Sequence, residues 1–155
     1  MIRVADGIAT GGVGPSEIHR AIAGLRAEGF DYLVDLFGYD TPERPARFDV
    51  VYLLHRMSDG TRVRLKVQVA DGEPVPTITD LYPNADWYER EAYDLYGIPF
   101  TGHPDLRRIL LPDDWIGHPL RRDHPLGGEV VAYGLPEDAR RDTIAPLVFP
   151  EGTAR

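Results

Sequence analysis

The chain has 155 residues, a formal net charge of -8 and no cysteine. This length suits a single domain, and the missing cysteines exclude disulfides, thiolate-held iron–sulfur clusters and cysteine-bound zinc. The acidic excess argues against nucleic-acid binding, and we find neither a membrane-spanning apolar run nor a signal peptide.

The chain begins with a short glycine-rich stretch and a predicted helix. Residues 1–14 contain Gly12-Val13-Gly14 without the remainder of a phosphate-binding motif, so we expect a flexible lead-in to the helix. Pro15 suits a first helical turn, and apolar residues then recur on one face until Gly29. This pattern predicts an amphipathic helix over residues 15–28.

Three strands are predicted next, at residues 32–37, 48–57 and 61–70. The third alternates apolar with polar side chains, which is typical of a half-buried antiparallel strand. Its two faces carry Val63, Leu65, Val67 and Val69, and Arg62, Arg64, Lys66 and Gln68. The basic stripe is either an ordinary solvated face or a surface for acidic partners.

A second helix is predicted from Asn84, its N-cap, to about Tyr96, with Gly97 as the left-handed residue that ends it. Glu91 and Asp94 lie about one turn apart on this helix, a spacing that acid–base chemistry or a metal site could use. Arg90 precedes Asp94 by four residues, so a neutralising surface pair is the simpler interpretation.

The stretch from residue 97 to 126 contains five prolines and many apolar side chains. The prolines exclude a continuing helix, and the apolar content argues against a disordered linker. We therefore expect an irregular segment that buries against its own domain or another protein. Arginine pairs at 107–108 and 121–122, each after a Gly-His-Pro turn, suit docking to carboxylates. The histidine and aspartate spacings match no zinc-site pattern.

Together these elements predict an α+β fold with a small, mostly antiparallel sheet of three or slightly more strands, packed with helices. We expect this domain to cover residues 1–96. Residues 97–155 are then an extended, irregular docking segment and tail, not an independent domain.

Several motifs stand at characteristic intervals in this chain. The central motif comprises Glu89-Arg90-Glu91, Asp94-Leu95-Tyr96, His103, Arg107 and Ile109-Leu110. Residues 44–52 precede it, and residues 112–115 and 117–123 follow it. The pattern resembles the 30-kDa subunit of respiratory complex I, the proton-translocating NADH:quinone oxidoreductase, over about residues 20–126. His124 departs from the family, which commonly has an aromatic residue at this position before the proline.

The resemblance implies a non-redox scaffold subunit of the hydrophilic arm, peripheral at the cytoplasmic face of the cell membrane and touching the membrane only through the complex. It implies no catalytic centre, metal or cofactor in this chain. The iron–sulfur clusters, flavin and quinone belong to the assembled complex. The implied partners are the 49-kDa-type quinone-site subunit, the ferredoxin-like iron–sulfur subunit and other subunits of the hydrophilic arm.

We expect the partner interface on the charged and aromatic residues of the second helix and the segment after it. These are Glu89, Arg90, Glu91, Asp94, His103, Asp105, Arg107, Arg108, Asp113, Asp114, Trp115, His118, Arg121 and Arg122.

Three other functions are consistent with the sequence. The family includes subunits of membrane-bound hydrogenases and of quinone oxidoreductases with other donors, and no residue here selects the donor. From a different class, a stand-alone metal-dependent hydrolase would use the His/Asp-rich segment with Glu91 and Asp94. A soluble adaptor unrelated to respiration would use the same segment for docking.

Overall fold

The computed structural model describes residues 2–5, as backbone, and residues 7–124, so the predicted tail after His124 lies outside the described residues. The elements in chain order are β1 (Ile2–Ala5), β2 (Ile8–Val13), a 3-10 turn (Pro15–Glu17), α1 (Ile18–Ala27), β3 (Tyr32–Asp40), β4 (Phe48–His55), β5 (Arg62–Val69), β6 (Val75–Pro76), α2 (Ala85–Tyr96) and β7 (Phe100–Thr101).

Five of the described strands form one mixed sheet in the order β1-β2-β5-β4-β3. The pairs β1–β2, β3–β4 and β4–β5 are antiparallel, whereas β2 runs parallel to β5. The short strands β6 and β7 form a separate parallel pair. This arrangement confirms the predicted α+β fold, with a small, mostly antiparallel sheet packed with helices.

One face of the sheet forms the hydrophobic core together with both helices. Every second residue of β4 points into this core, and Phe48, Val50, Tyr52 and Leu54 are each at most 1% exposed. Helix α1 adds Ile18 and Ile22, and helix α2 adds Ala85 and Ala92. Full burial of an aliphatic or aromatic side chain stabilises by roughly 1.5–3 kcal/mol, so this face supplies most of the stability.

The strands follow their sequence patterns closely. In β5, Leu65, Val67 and Val69 are buried while Arg62 and Gln68 are exposed, which confirms the predicted alternation. Strand β3 contains a register shift between Leu33 and Asp35. Such a bulge inserts one residue, and it explains why Leu33 and Leu36 both face the core although they are three positions apart.

The lead-in predicted for residues 1–14 is wrong, because residues 8–13 form β2. Its parallel partner β5 is distant in sequence. Gly11 serves packing, because a Cβ there would lie 3.3 Å from Leu65 Cδ2. Helix α1 begins at Ile18, since Pro15 starts the 3-10 turn.

The predicted ends of α2 are correct, but the predicted capping role of the Asn84 side chain is not. Asn84 occupies the N-cap position and makes no capping hydrogen bond. Its Nδ2 donates instead to the carbonyl of Leu33 at 2.9 Å, so this side chain fastens α2 to β3. Gly97 ends the helix in the left-handed conformation, as predicted, with φ of 75°.

Candidate partner interface

The irregular segment after α2, residues 97–124, is called the strap below. It turns away from the helix at Gly97, and Ile98 and Phe100 enter the core directly, at 1% and 3% exposure. Residues up to His124 belong to one compact unit. The strap therefore packs on its own domain. The sequence had left open whether it would bury there or against another protein. A docking role for it stays a prediction.

Asp94, in the last turns of α2, holds the strap through a fully buried carboxylate. Its Oδ2 accepts the N–H groups of Ile109, Leu110 and Leu111 at 3.1, 2.8 and 3.0 Å, and its Oδ1 accepts Arg108 Nη1 at 2.8 Å. Burial alone raises the pKa of a carboxyl group. The donors outweigh it and hold the pKa of Asp94 below its usual value. The strap thus folds around one ionised carboxylate.

Arg108 and His118 complete this anchor. Arg108 Nη2 donates to the carbonyls of Trp115 and Gly117, at 3.2 and 3.0 Å. His118 Nδ1 lies 2.8 Å from the backbone carbonyl oxygen of Asp94, and a carbonyl only accepts, so Nδ1 carries the proton. The parts of the strap that follow the two Gly-His-Pro turns, at residues 102–104 and 117–119, therefore both contact the end of α2.

The pairing predicted between Arg90 and Asp94 is wrong. Arg90 lies over the ring of Trp87 and donates to the carbonyls of Arg107 and Arg108, at 3.2 and 3.3 Å. Local spacing favoured Arg90 because it stands one turn from Asp94. The buried carboxylate is instead neutralised from the strap, where a guanidinium and three amide groups arrive together.

Arg121 fastens the end of the strap. Its Nε donates to the carbonyl of Tyr96 at 2.7 Å, and its two Nη atoms each lie 2.9 Å from a carboxylate oxygen of Asp71. Its neighbour Arg122 contributes mainly backbone, since its N–H donates to Asp40 Oδ2 at 2.8 Å while its side chain is 64% exposed. Of the second arginine pair, only the Arg121 guanidinium is therefore held within the chain, and the Arg122 side chain stays exposed.

Arg47 links the domain to the strap and was missed among the predicted site residues. Its guanidinium donates to both carboxylate oxygens of Asp40, at 2.7 and 2.6 Å, and to both of Asp123, at 2.7 Å. The hydrogen bonds from Arg47 lower the pKa of Asp123 to about 2. A separation of 76 residues hides this pair from local patterns. Both residues do stand in motifs of the family resemblance, which is the signal that could have found them.

Glu89 and His103 form a second buried polar group. Glu89 accepts hydrogen bonds from Thr77 Oγ1 at 2.6 Å and from the N–H of Ile78 at 2.8 Å. Burial raises the pKa of Glu89 to about 7. The His103 side chain is 0% exposed, and its Nε2 lies 3.2 Å from Asp86 Oδ1. Glu89 therefore ties α2 to residues 77–78, and His103 ties the start of the strap to α2.

The predicted interface residues divide into two groups. One group binds within the chain: Glu89, Arg90, Asp94, His103, Arg108, His118 and Arg121. The other group is exposed or, for Trp115, half-buried: Glu91, Asp105, Arg107, Asp113, Asp114, Trp115 and Arg122. Glu91 and Asp94 do not come together as an acid–base pair, because Glu91 faces solvent and the Asp94 carboxylate is enclosed by its donors. A partner contact for either group stays a prediction.

Three exposed apolar residues of the strap were not among the predicted interface residues. Leu110, Ile116 and Leu120 are 61%, 90% and 49% exposed. Each stands within two positions of a proline or glycine, but so does Ile98, which is 1% exposed, so this position does not by itself predict exposure. The solvent-exposed surface of the strap, which includes these three side chains, is called its outer side below.

The described residues contain neither a metal-binding cluster nor a membrane-spanning helix. Across residues 7–124, no group of three or more histidine, aspartate or glutamate side chains is placed to hold a metal ion. Neither of the two helices in this part of the chain has the length and apolar content needed to cross a bilayer.

The chain is similar to known proteins along most of its length. The profile of the family described as "Respiratory-chain NADH dehydrogenase, 30 Kd subunit" matches residues 12–130. NADH-quinone oxidoreductase subunits of the C type are 53% identical over 116 residues in Phenylobacterium zucineum and 58% identical over 120 residues in Sinorhizobium medicae. These matches cover 72% and 77% of this chain, but only 56% and 59% of those proteins, so the chain spans less than two thirds of their length. A relative of the same type from Xanthobacter autotrophicus is 43% identical over 152 residues, covering 96% of this chain and 72% of that protein.

Two solved structures resemble the fold. A trypsin-resistant fragment of Nqo5 aligns with a TM-score of 0.63 and 37% identity, covering 68% of this chain and 89% of the fragment. A chain of the membrane-bound sulfane sulfur reductase, an archaeal respiratory membrane complex, aligns with a TM-score of 0.74 over 100% of this chain and 90% of that one. At 20% identity, the second likeness concerns the fold alone.

Proposed function

The chain belongs to the 30-kDa subunit family of respiratory-chain NADH dehydrogenase, and we propose that it is a non-redox scaffold subunit in the hydrophilic arm of a proton-translocating NADH:quinone oxidoreductase. In this proposal it has no catalytic centre of its own. Other subunits hold the flavin, the iron–sulfur clusters and the quinone. The subunit is peripheral, at the cytoplasmic face of the membrane.

The observation that carries the proposal is the two-sided character of the strap. Its inner side is fastened to the domain through Asp94, Arg108 and Arg121, whereas its outer side presents Leu110, Ile116 and Leu120 to solvent. An ordered segment with an apolar outer side is suited to docking, because little conformational entropy is lost when it binds.

The proposed occupant of this outer side is the 49-kDa-type subunit beside the quinone site, with the ferredoxin-like iron–sulfur subunit nearby. Interfaces place apolar anchors at the centre and charged groups at the rim. The strap offers both kinds of residue: Ile116 at 90% exposure as an anchor, and Arg107 and Arg122, with side chains 69% and 64% exposed, as rim charges. Asp113 and Asp114 add exposed carboxylates beside Ile116.

Site-specific photo-crosslinking in native membranes tests this contact. A crosslinking amino acid in place of Ile116 should attach the chain to the 49-kDa-type subunit, as identified by mass spectrometry. The matched control is the same replacement at Met57, which is 62% exposed. Met57 follows the C-terminal end of β4, whereas Arg47, at the other end, contacts the strap. If Ile116 forms no such product, or if Met57 forms the same one, the docking proposal is wrong.

The electron donor is tested separately. A tagged copy of the chain, purified from membranes with its partners, should co-purify with NADH-dependent quinone reduction. A complex that contains the tagged chain but reduces quinone only with another donor would contradict NADH as the donor, while leaving the scaffold role in place.

A further inference from the structure

The face of the sheet opposite the core is not covered by a helix in the part of the chain that the structure describes. Phe37 and Tyr39 of β3 lie on this outer face, at 44% and 36% exposure. Val51 of β4 stands between Phe37 and Lys66 in the strand register and is only 2% exposed, so neighbouring side chains already cover it. A sheet face with apolar residues usually packs against another layer, so this face has the composition of a contact surface.

Three cations on this outer face have neither a carboxylate nor a backbone carbonyl as a partner within the described residues. Among the described arginine and lysine side chains, only Arg62, Arg64 and Lys66 neither pair with a carboxylate nor donate to a backbone carbonyl. Lys66 has a single recorded contact, 5.5 Å from the ring centroid of Tyr39. In a chain with a net charge of -8, this row is a local excess of positive charge.

The row has a regular spacing. The three residues occupy alternate positions of β5, so their side chains point the same way, roughly 7 Å apart. The carboxylates on this face do not neutralise them. Asp49 pairs with Arg44, and Asp35 stands opposite Leu53 of β4, which lies between it and Arg64. The stripe therefore presents positive charge to whatever covers the sheet.

An open groove lies beside the stripe. It runs along β2 and includes Thr10, Gly12, Arg44 and Lys66. Thr10 Oγ1 and Arg44 Nε are buried atoms without a hydrogen-bond partner among the described residues. No atom lies within 4 Å of the position that a Cβ on Gly12 would take, so the groove is open there.

We propose that this outer face is a second docking surface, which takes an amphipathic acidic segment of another subunit of the complex. The carboxylates of that segment lie along Arg62, Arg64 and Lys66, and its apolar side chains lie on Phe37 and Tyr39. Charge complementarity of this kind sets the register and orientation of a contact. The inference rests on the proposed function only in placing the chain in a complex of several subunits.

Photo-crosslinking of the assembled complex in native membranes identifies the occupant. A crosslinking amino acid in place of Phe37 should attach to a segment of another subunit, and mass spectrometry should find several Asp or Glu residues in it. Attachment to a second copy of this chain, attachment to a segment without carboxylates, or no attachment would each overturn the proposal.

Charge reversal provides an independent test. The double variant R64E/K66E should reduce incorporation of the tagged chain into the membrane complex by roughly tenfold, because it turns attraction into repulsion. R64K/K66R should assemble normally. R20E is the matched control, since Arg20 is an 85% exposed cation on α1. Equal incorporation of R64E/K66E and R20E would overturn the proposal.

Two measurements separate this inference from its alternatives. The free energy of unfolding of the isolated variants should match that of the unaltered chain to within about 1 kcal/mol, since Arg64 and Lys66 make no ion pair within the described residues and the exposed contact of Lys66 with the Tyr39 ring is weak. Such a match excludes misfolding as the cause. A crosslinker at Ile116 reports on the strap contact. A product at Ile116 without one at Phe37 would leave the proposed function standing and contradict only the second docking surface.

Discussion

Arg108 Nη1 lies 2.8 Å from Asp94 Oδ1, and this contact closes the strap onto α2 across 14 positions of sequence. The Arg108 side chain is 17% exposed and the Asp94 side chain 0%. A buried ion pair is not in itself strongly stabilising, but removal of one partner leaves an uncompensated charge. Since three amide groups share the same carboxylate, Asp94 fixes the path of the strap as well as its charge.

The first prediction concerns this carboxylate. Asp94→Asn removes the charge opposite Arg108 and turns an amide group toward hydrogen-bond donors. We expect the free energy of unfolding to fall by about 3–5 kcal/mol in guanidinium denaturation of the full chain. Glu91→Gln is the control, because Glu91 is exposed on the same helix and should change stability by less than about 0.5 kcal/mol. Similar losses in both variants would show that Asp94 does not anchor the strap.

The second prediction uses two glycines with the same backbone conformation. Gly97 and Gly60 both have φ of 75°, where any other residue costs about 1–2 kcal/mol. A Cβ at Gly97 would lie 2.6 Å from the His118 ring and 2.7 Å from Arg121 Nη2, whereas Gly60 has no atom within 4 Å. Gly97→Ala should therefore lower the melting temperature clearly more than Gly60→Ala. Equal shifts would mean that the strap does not lie against Gly97.

The third prediction concerns pH. Burial raises the pKa of Glu89 from 4.5 to about 7, so the folded chain binds this proton more tightly than the unfolded chain. The resulting stability is fully present below pH 4.5 and is lost as pH rises to about 7. The loss is on the order of 3 kcal/mol. Glu89→Gln cannot titrate and so lacks this pH-dependent loss. Between pH 5 and pH 8, the free energy of unfolding of the unaltered chain should therefore fall relative to that of the variant. Denaturant unfolding at both pH values measures it, and parallel pH profiles would contradict the prediction.

Much of the fold could be predicted because its signals are local. The alternation in β5 and the left-handed glycine after α2 each lie in a few adjacent residues. Strand β2 was missed because Thr10-Gly11-Gly12 lacks the β-branched and aromatic residues typical of strands, and its parallel partner β5 is remote in sequence. Only the pairing makes this stretch a strand.

The site was less predictable because its contacts are long-range. Motif spacing picked out Asp94 and Arg108 but could not show that they bind each other, since Arg90 is closer along the helix. The bridge from Arg47 to Asp40 and Asp123 spans the chain and has no periodic signal. The exposure of Ile116 depends on how the strap folds around Asp94, so it follows only from the three-dimensional structure.

The last prediction separates docking from folding at the most exposed apolar residue of the strap. Ile116 is 90% exposed in the isolated chain, so Ile116→Ser should change the free energy of unfolding by less than about 0.5 kcal/mol. In the assembled complex the same side chain is expected to be an interface anchor. Its loss should then weaken assembly by about 1.5–3 kcal/mol, or roughly 10- to 100-fold in the dissociation constant. Quantitative native gels of membranes that produce the variant measure the assembled fraction. Met57→Ser, at a residue that is 62% exposed outside the strap, is the control and should assemble fully. If the two variants assemble equally well, Ile116 is no anchor and the outer side of the strap is not the docking surface.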